Sequence, residues 1–218
     1  GKDDANANTR RIAAKVNTAL QAMCKGNAPL QNELYERSRD TIIDYSKDLT
    51  NPTAGFATLT EIFQDNVDLC ETVPSRIPEE IAQAILNRKY QPGDFTGTLL
   101  DPLYALVICR GKPVRRNQKT VMAALWSEEN HGLLMLYNNM GDGEPDDLKR
   151  LMNLSKNKTN RFAPPDGELA YFIALLHLLS ACCRGKATVE EVRCKSLFTF
   201  NELAENIISK DFIWCVKL

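Results

Sequence analysis

Residues 169–183, LAYFIALLHLLSACC, form a run in which only His177 and Ser180 interrupt the apolar side chains. A helix that is apolar on every side must be surrounded by other helices or by lipid. Crossing a bilayer takes roughly 20 such residues, so this run is too short to span one. It reads as the buried central helix of an all-helical stack. The rest of the chain agrees, because no stretch shows the sustained two-residue alternation of a half-buried strand.

Working upstream, helical segments recur with short punctuation. The first covers about Thr9 to Cys24, with Ile12, Val16, Leu20 and Met23 on one face at three- and four-residue spacing. Lys25-Gly26-Asn27 ends it, since glycine tolerates a left-handed cap. A second helix runs from about Leu30 to Lys47 with Leu34, Ile42, Ile43 and Tyr45. It stops at Asn51-Pro52-Thr53, because proline disfavours helical geometry in the residue before it. The third is expected as one helix from about Ala54 to Val73, with Phe56, Leu59, Ile62, Phe63, Val67 and Leu69 inside and Glu61, Gln64, Asp65 and Asp68 in water. Ser75 caps a fourth, with Pro78 in its first turn and Glu79-Glu80 near the positive helix end. After the turn Gln91–Asp94 come helices at Leu99–Cys109, with Pro102 in the first turn, and at Val114–Trp126, separated by Gly111-Lys112-Pro113. A short segment 132–137, an acidic loop 138–147, a helix 147–157 and a linker 161–167 lead into the central helix. Amphipathic pieces at 188–192 and 200–209 follow it. About ten helices with short loops and no strand predict an all-α fold, an α-solenoid of stacked hairpins or an irregular bundle. No exact repeat is visible.

The 218 residues carry a net charge of -1, which argues against the basic stripe of a nucleic-acid grip. The seven cysteines fit no CxxC or His-paired zinc spacing. Most lie in apolar stretches, as thiols acting as small core residues in a reducing compartment would. Two sequons, at Asn153 and Asn157, match a pattern that arises often by chance. The opening GKDDANANTR is polar and shows no signal peptide, while the final DFIWCVKL is apolar without a stop signal. The expectation is an excised fragment of a much larger chain.

Chemistry-bearing constellations are sparse. His177 is expected as a hydrogen-bonded core residue, and His131 sits at a helix boundary. Cys182 or Cys183 is five or six residues from His177, a spacing that does not give a clean nucleophile pair on one helical face. The acidic stretch NNMGDGEPDD lacks the alternating oxygens and trailing glutamate of a calcium loop. Arg110–Lys119 concentrates five cations in ten residues, and Arg88-Lys89 is a smaller pair. Both read either as solvated inter-helix segments or as a hold for phosphate or an acidic partner surface. No GxxxxGK phosphate loop occurs. The expectation is no enzyme, with no catalytic, cofactor or metal residues.

Three segments in order carry a resemblance. FATLTEIFQDNVDLCETVPSRI (56–77) contains a helix with an asparagine-centred dip; LLDPLYALVICRGKPVRRNQKTVMAALW (99–126) places a GKPV turn before a helix begun by Asn-Gln; and ELAYFIALLHLLSACCRGKATVEEVRCKSLFTFNELAENI (168–207) follows a buried helix with a Cys-x-Ser-Leu element. Together they resemble the armadillo-like, RIH-type helical domain shared by inositol trisphosphate receptors and ryanodine receptors, leaning toward the former. The resemblance covers about 31–209; the linker 138–165 and the first helix depart from it. It implies one helical-repeat domain, with shared motifs over 29–137, a linker at 138–167 and the buried helix and its followers at 168–209. It further implies a non-enzymatic module of a homotetrameric calcium-release channel, at the cytosolic face of the endoplasmic reticulum membrane, that relays ligand-driven movement to the pore. Its implied partners are neighbouring domains and subunits of that channel, with no nucleic acid and no membrane insertion by this segment. The family's inositol trisphosphate site is not carried over, because only Arg88 and Lys89 occupy a comparable place. The open alternative is an armadillo- or HEAT-like interaction adaptor unrelated to channels.

Overall fold

The computed structural model describes residues 2–47, 52–89, 96–134, 167–185 and 187–197. These form nine α-helices: α1 (Lys2–Cys24), α2 (Ala28–Lys47), α3 (Pro52–Phe63), α4 (Val67–Thr72), α5 (Arg76–Lys89), α6 (Asp101–Val107), α7 (Arg115–Leu125), α8 (Gly167–Cys183) and α9 (Thr188–Leu197). Single 3₁₀ turns stand at Gly97–Leu99 and His131–Leu133. The acidic loop, the helix expected at 147–157, the sequons, the 161–166 part of the linker and the piece at 200–209 lie outside the described residues.

Much of the local punctuation follows from residue chemistry. Gly26 takes a left-handed φ of 66° where α1 ends. Pro102 sits in the first turn of α6, where its missing N–H is no loss. The third helix is not continuous, contrary to its expected span. Asp65 adopts φ 56°, and the Asn66 side chain accepts from the Leu69 N–H at 3.1 Å, so α3 stops and α4 starts anew. The strand-free expectation also needs correction. Ile108–Cys109 and Lys112–Pro113 pair antiparallel as β1 and β2, with Arg110 (φ 49°) and Gly111 (φ 72°) as a two-residue loop. Two consecutive left-handed residues match the right-handed twist of a tight hairpin.

The core lies between α3, α5, α6, α7 and α8. Phe56, Leu59, Ile62, Phe63, Ile77, Ile81, Ile85, Leu103, Leu106, Val121, Leu125, Leu175 and Leu178 are all essentially inaccessible to solvent. α3 packs on α1, α2 and α6; α5 packs on α2 and α7; α8 packs on α6, α7, α9 and the 97–99 turn. That last contact is close. A Cβ at Gly97 would sit 2.8 Å from the Ala170 carbonyl oxygen, a backbone atom that cannot swing aside. Gly97→Ala is expected to cost about 1–3 kcal/mol, read as a lower urea midpoint with unchanged slope.

The packing orients α1 and corrects the expectation for α8. On α1, Ile12, Val16 and Met23 are more than half exposed and Leu20 is half-buried, so the apolar stripe points away from the core. The covered side instead carries Asn17 and Cys24, both buried, with Gln21 half-buried between them. Gln21 donates to the Ala54 carbonyl and the Thr58 hydroxyl, both at 3.2 Å, while Thr58 donates to Asn17 at 2.7 Å. These cross-links to α3 fix the rotation of α1 against its own hydrophobic pattern. On α8, Tyr171, Phe172, Leu175, Leu178, Leu179 and Cys182 are buried, but Ile173 and Leu176 are only half-buried and His177 and Ser180 are exposed. The helix is thus sheathed on most but not all sides, and His177 is a surface residue rather than a core one. The buried Tyr171 donates its Oη to the Leu133 carbonyl at 3.0 Å.

Candidate interaction site at the start of α7

The residues Arg115-Arg116-Asn117-Gln118 open α7, and all four reach backbone carbonyls on other elements. Arg115 Nη2 donates to Gly185 O, and Arg116 Nη1 donates to Glu71 O at 2.8 Å. Asn117 Nδ2 donates to Cys70 O at 2.7 Å and Leu106 O at 2.9 Å. Gln118 Nε2 donates to Ala181 O and Arg184 O, both at 2.9 Å. Successive helix positions lie about 100° apart, so Arg115 and Gln118 share one direction and reach the end of α8, while Arg116 and Asn117 reach α4 and α6. Cys70 O, Glu71 O, Leu106 O and Ala181 O lie in the last turns of their helices, where carbonyls lack the full intrahelical pairing, and Arg184 O and Gly185 O lie just beyond α8. One helix start therefore clamps three helix ends. Gln31 does the same for α3, donating to Glu61 O at 2.7 Å and Gln64 O at 3.1 Å.

The β1–β2 hairpin completes the wall. The Arg110 backbone N–H donates to Asp65 Oδ1 at 2.6 Å, seating the loop on the break between α3 and α4. Val67, Glu71, Cys109, Arg110, Lys112, Pro113, Val114, Arg115 and Arg116 then line an open cavity of about 580 Å³. Its rim cations Arg110, Lys112, Arg115 and Arg116 are exposed, while Val67, Pro113 and Val114 are half-buried and Cys109 is buried. Val114 is the N-cap of α7 and supplies no side-chain acceptor, so the positive end of that helix is left uncapped at the cavity edge.

The other sequence candidates do not gather here. His177 lies exposed on α8; the side chains of Arg88, Lys89 and His131 lie outside the described residues. Six cysteines are described and all are free. Burial raises every one of their thiols; Cys70, buried beside Cys109, is pushed up to about 12. A thiol so raised stays protonated at neutral pH and is a poor nucleophile. Cys24, Cys70, Cys109 and Cys182 are accordingly expected to resist a thiol-reactive dye near pH 7 until denaturant is added. Rapid labelling of all four in the native chain would contradict their burial. Among the described residues no three His, Cys, Asp or Glu side chains group as a metal site, and no helix is long and apolar enough to cross a membrane.

The basic run was legible as charge, but its clamping role was not. The signal that carries the clamp is the uncharged pair Asn117-Gln118, 1% and 0% exposed, which amides rarely are unless they hold a partner.

No family model matches the chain. Over 204 residues, 91% of its length, it is 26% identical to the inositol 1,4,5-trisphosphate receptor itr-1 of Caenorhabditis elegans. The chain spans 7% of that receptor's length. This similarity supports a relationship between the chain and the inositol trisphosphate receptor family.

Proposed function

We propose that this chain is a non-enzymatic, armadillo-like helical-repeat module of an intracellular calcium-release channel of the inositol trisphosphate receptor type. In that reading it sits on the cytosolic face of the endoplasmic reticulum membrane, within a homotetramer, and relays movement between a ligand-binding region and the pore. The similarity to itr-1 over nearly the whole chain carries the channel assignment. Support for a stacked array comes from where apolar surface is left. Among the described residues, five of the six exposed large hydrophobic side chains fall on the first and last described helices: Ile12, Val16 and Met23 on α1, Val189 and Val192 on α9. Repeat units bury such faces against their neighbours, and small rotations between stacked pairs add along the array without breaking a core.

The test uses the full receptor carrying this segment, with Ile12→Asp and Val16→Asp introduced together on the outward face of α1. Ligand binding is expected to persist while ligand-evoked calcium release from microsomes falls. Release equal to that of the unmodified receptor would refute the relay. The adaptor alternative draws on the same exposed stripe. It requires the isolated chain to bind a free amphipathic helix through Ile12, Val16 and Met23, with the Ile12→Asp/Val16→Asp form losing that binding.

A further inference from the structure

We infer that the cavity between the β1–β2 hairpin, α4 and the start of α7 docks an acidic segment of a partner protein, with an apolar side chain seated between its carboxylates. The inference is independent of the channel reading, since it rests on local charge and shape.

Charge comes first. The whole chain is close to neutral at -1, yet four cations and a single carboxylate line this cavity. Lys119, also exposed, follows one turn along α7. Among the described residues no ion pair engages Arg110, Lys112, Arg115, Arg116 or Lys119; the pairs there are Arg37–Glu33, Arg39–Asp40 and Arg76–Glu80. All three guanidinium groups are nonetheless held, each by one donor spent on a backbone carbonyl: Arg110 on Asp65 O, Arg115 on Gly185 O and Arg116 on Glu71 O. Each guanidinium has five N–H donors in a fixed fork, so a single carbonyl leaves capacity for a carboxylate. Pinning a cation without neutralising it removes part of the ordering entropy a partner would otherwise have to supply. The uncapped positive end of α7, an eleven-residue helix, adds to the same field.

Shape decides the class of partner. Every rim cation is exposed, so the cavity does not enclose a small ligand. Its lining is also partly apolar, through Val67, Pro113, Val114 and Cys109. A bare phosphate would leave that floor wet. An extended acidic segment covers it, placing carboxylates on the forks and one aliphatic side chain on Val67, Pro113 and Val114.

The experiment is fluorescence anisotropy of the 218-residue chain with a labelled ten-residue Asp/Glu peptide carrying one central leucine. Saturable binding is expected, weakening by about tenfold or more as sodium chloride rises from about 50 to about 300 mM. Lys112 lines the cavity and is exposed, so Lys112→Glu is expected to weaken binding about tenfold with an unchanged melting temperature. Lys119→Glu, equal in charge but outside the cavity lining, is expected to weaken it about threefold or less. Replacing the peptide's leucine with serine is expected to weaken binding several-fold. Absence of binding would overturn the inference, as would equal losses from Lys112→Glu and Lys119→Glu, which would mean diffuse attraction. Inorganic tripolyphosphate binding as tightly as the peptide, with leucine and serine peptides equivalent, would overturn it in favour of a phosphate ligand.

Discussion

Gln118→Glu is expected to destabilise the chain by about 3–5 kcal/mol at pH 7, and to recover part of that loss on acidification. Gln118 is fully buried and its Nε2 supplies both hydrogen bonds that hold Ala181 O and Arg184 O at the end of α8. A carboxylate there presents acceptors to acceptors in a place without water. The introduced carboxyl therefore has a folded-state pKa raised above its unfolded value of about 4.3. Below the unfolded value the acid is neutral in both states and its single O–H donates to one of the two carbonyls. As pH rises through the interval between the unfolded and the raised folded pKa, the unfolded chain releases its proton first and stability falls. Above the folded pKa the penalty is complete. Urea unfolding of the variant and the parent at pH 4 and pH 7 gives the difference directly. A loss of equal size at both pH values would show that charge is not the cause, and a loss below about 1 kcal/mol at pH 7 would remove Gln118 as the donor that holds α8.

Phe63→Ala is expected to cost about 3–5 kcal/mol, a fall in melting temperature of roughly 6–20 °C for a chain of this size. Phe63 is fully buried at the end of α3, where its ring meets Tyr35 of α2 edge-on at 5.9 Å between centroids. Truncation removes that contact and leaves a void at the junction of the two helices, which neighbours already packed against α5 and α6 cannot close. Differential scanning calorimetry measures the shift. A loss below about 1 kcal/mol would mean that the site collapses freely and that α2 is not anchored there.

The two variants probe different kinds of residue, and only one was legible as important from sequence. Phe63 stands in an obvious apolar pattern with Phe56, Leu59 and Ile62, and all four are buried as read. Gln118 sits inside a cationic run, where it reads as one more solvated polar residue. Its partners Ala181 and Arg184 lie 63 and 66 residues away, so no local window contains the reason for its burial. Arg115 and Arg116 share that ambiguity: their charge was plain, but the carbonyls of Gly185 and Glu71 that receive them were not.

By itself the sequence determined that the chain is mostly helical and where most of its helices stop, because those choices are made by neighbours within one turn. Gly26 with its positive φ, Pro102 in a first turn and Gly111 in a tight loop are decided by steric limits of single residues. The tertiary structure alone decided which way the helices turn. α1 hides Asn17 and exposes Val16 because Thr58, 41 residues on, offers the hydrogen bond, and an amide buried without a partner costs more than an exposed valine. α8 leaves His177 in water because α6, α7, α9 and the 97–99 turn cover its other sides. A hydrophobic pattern states how much of a helix can be buried; the polar partners it meets across the fold select the face.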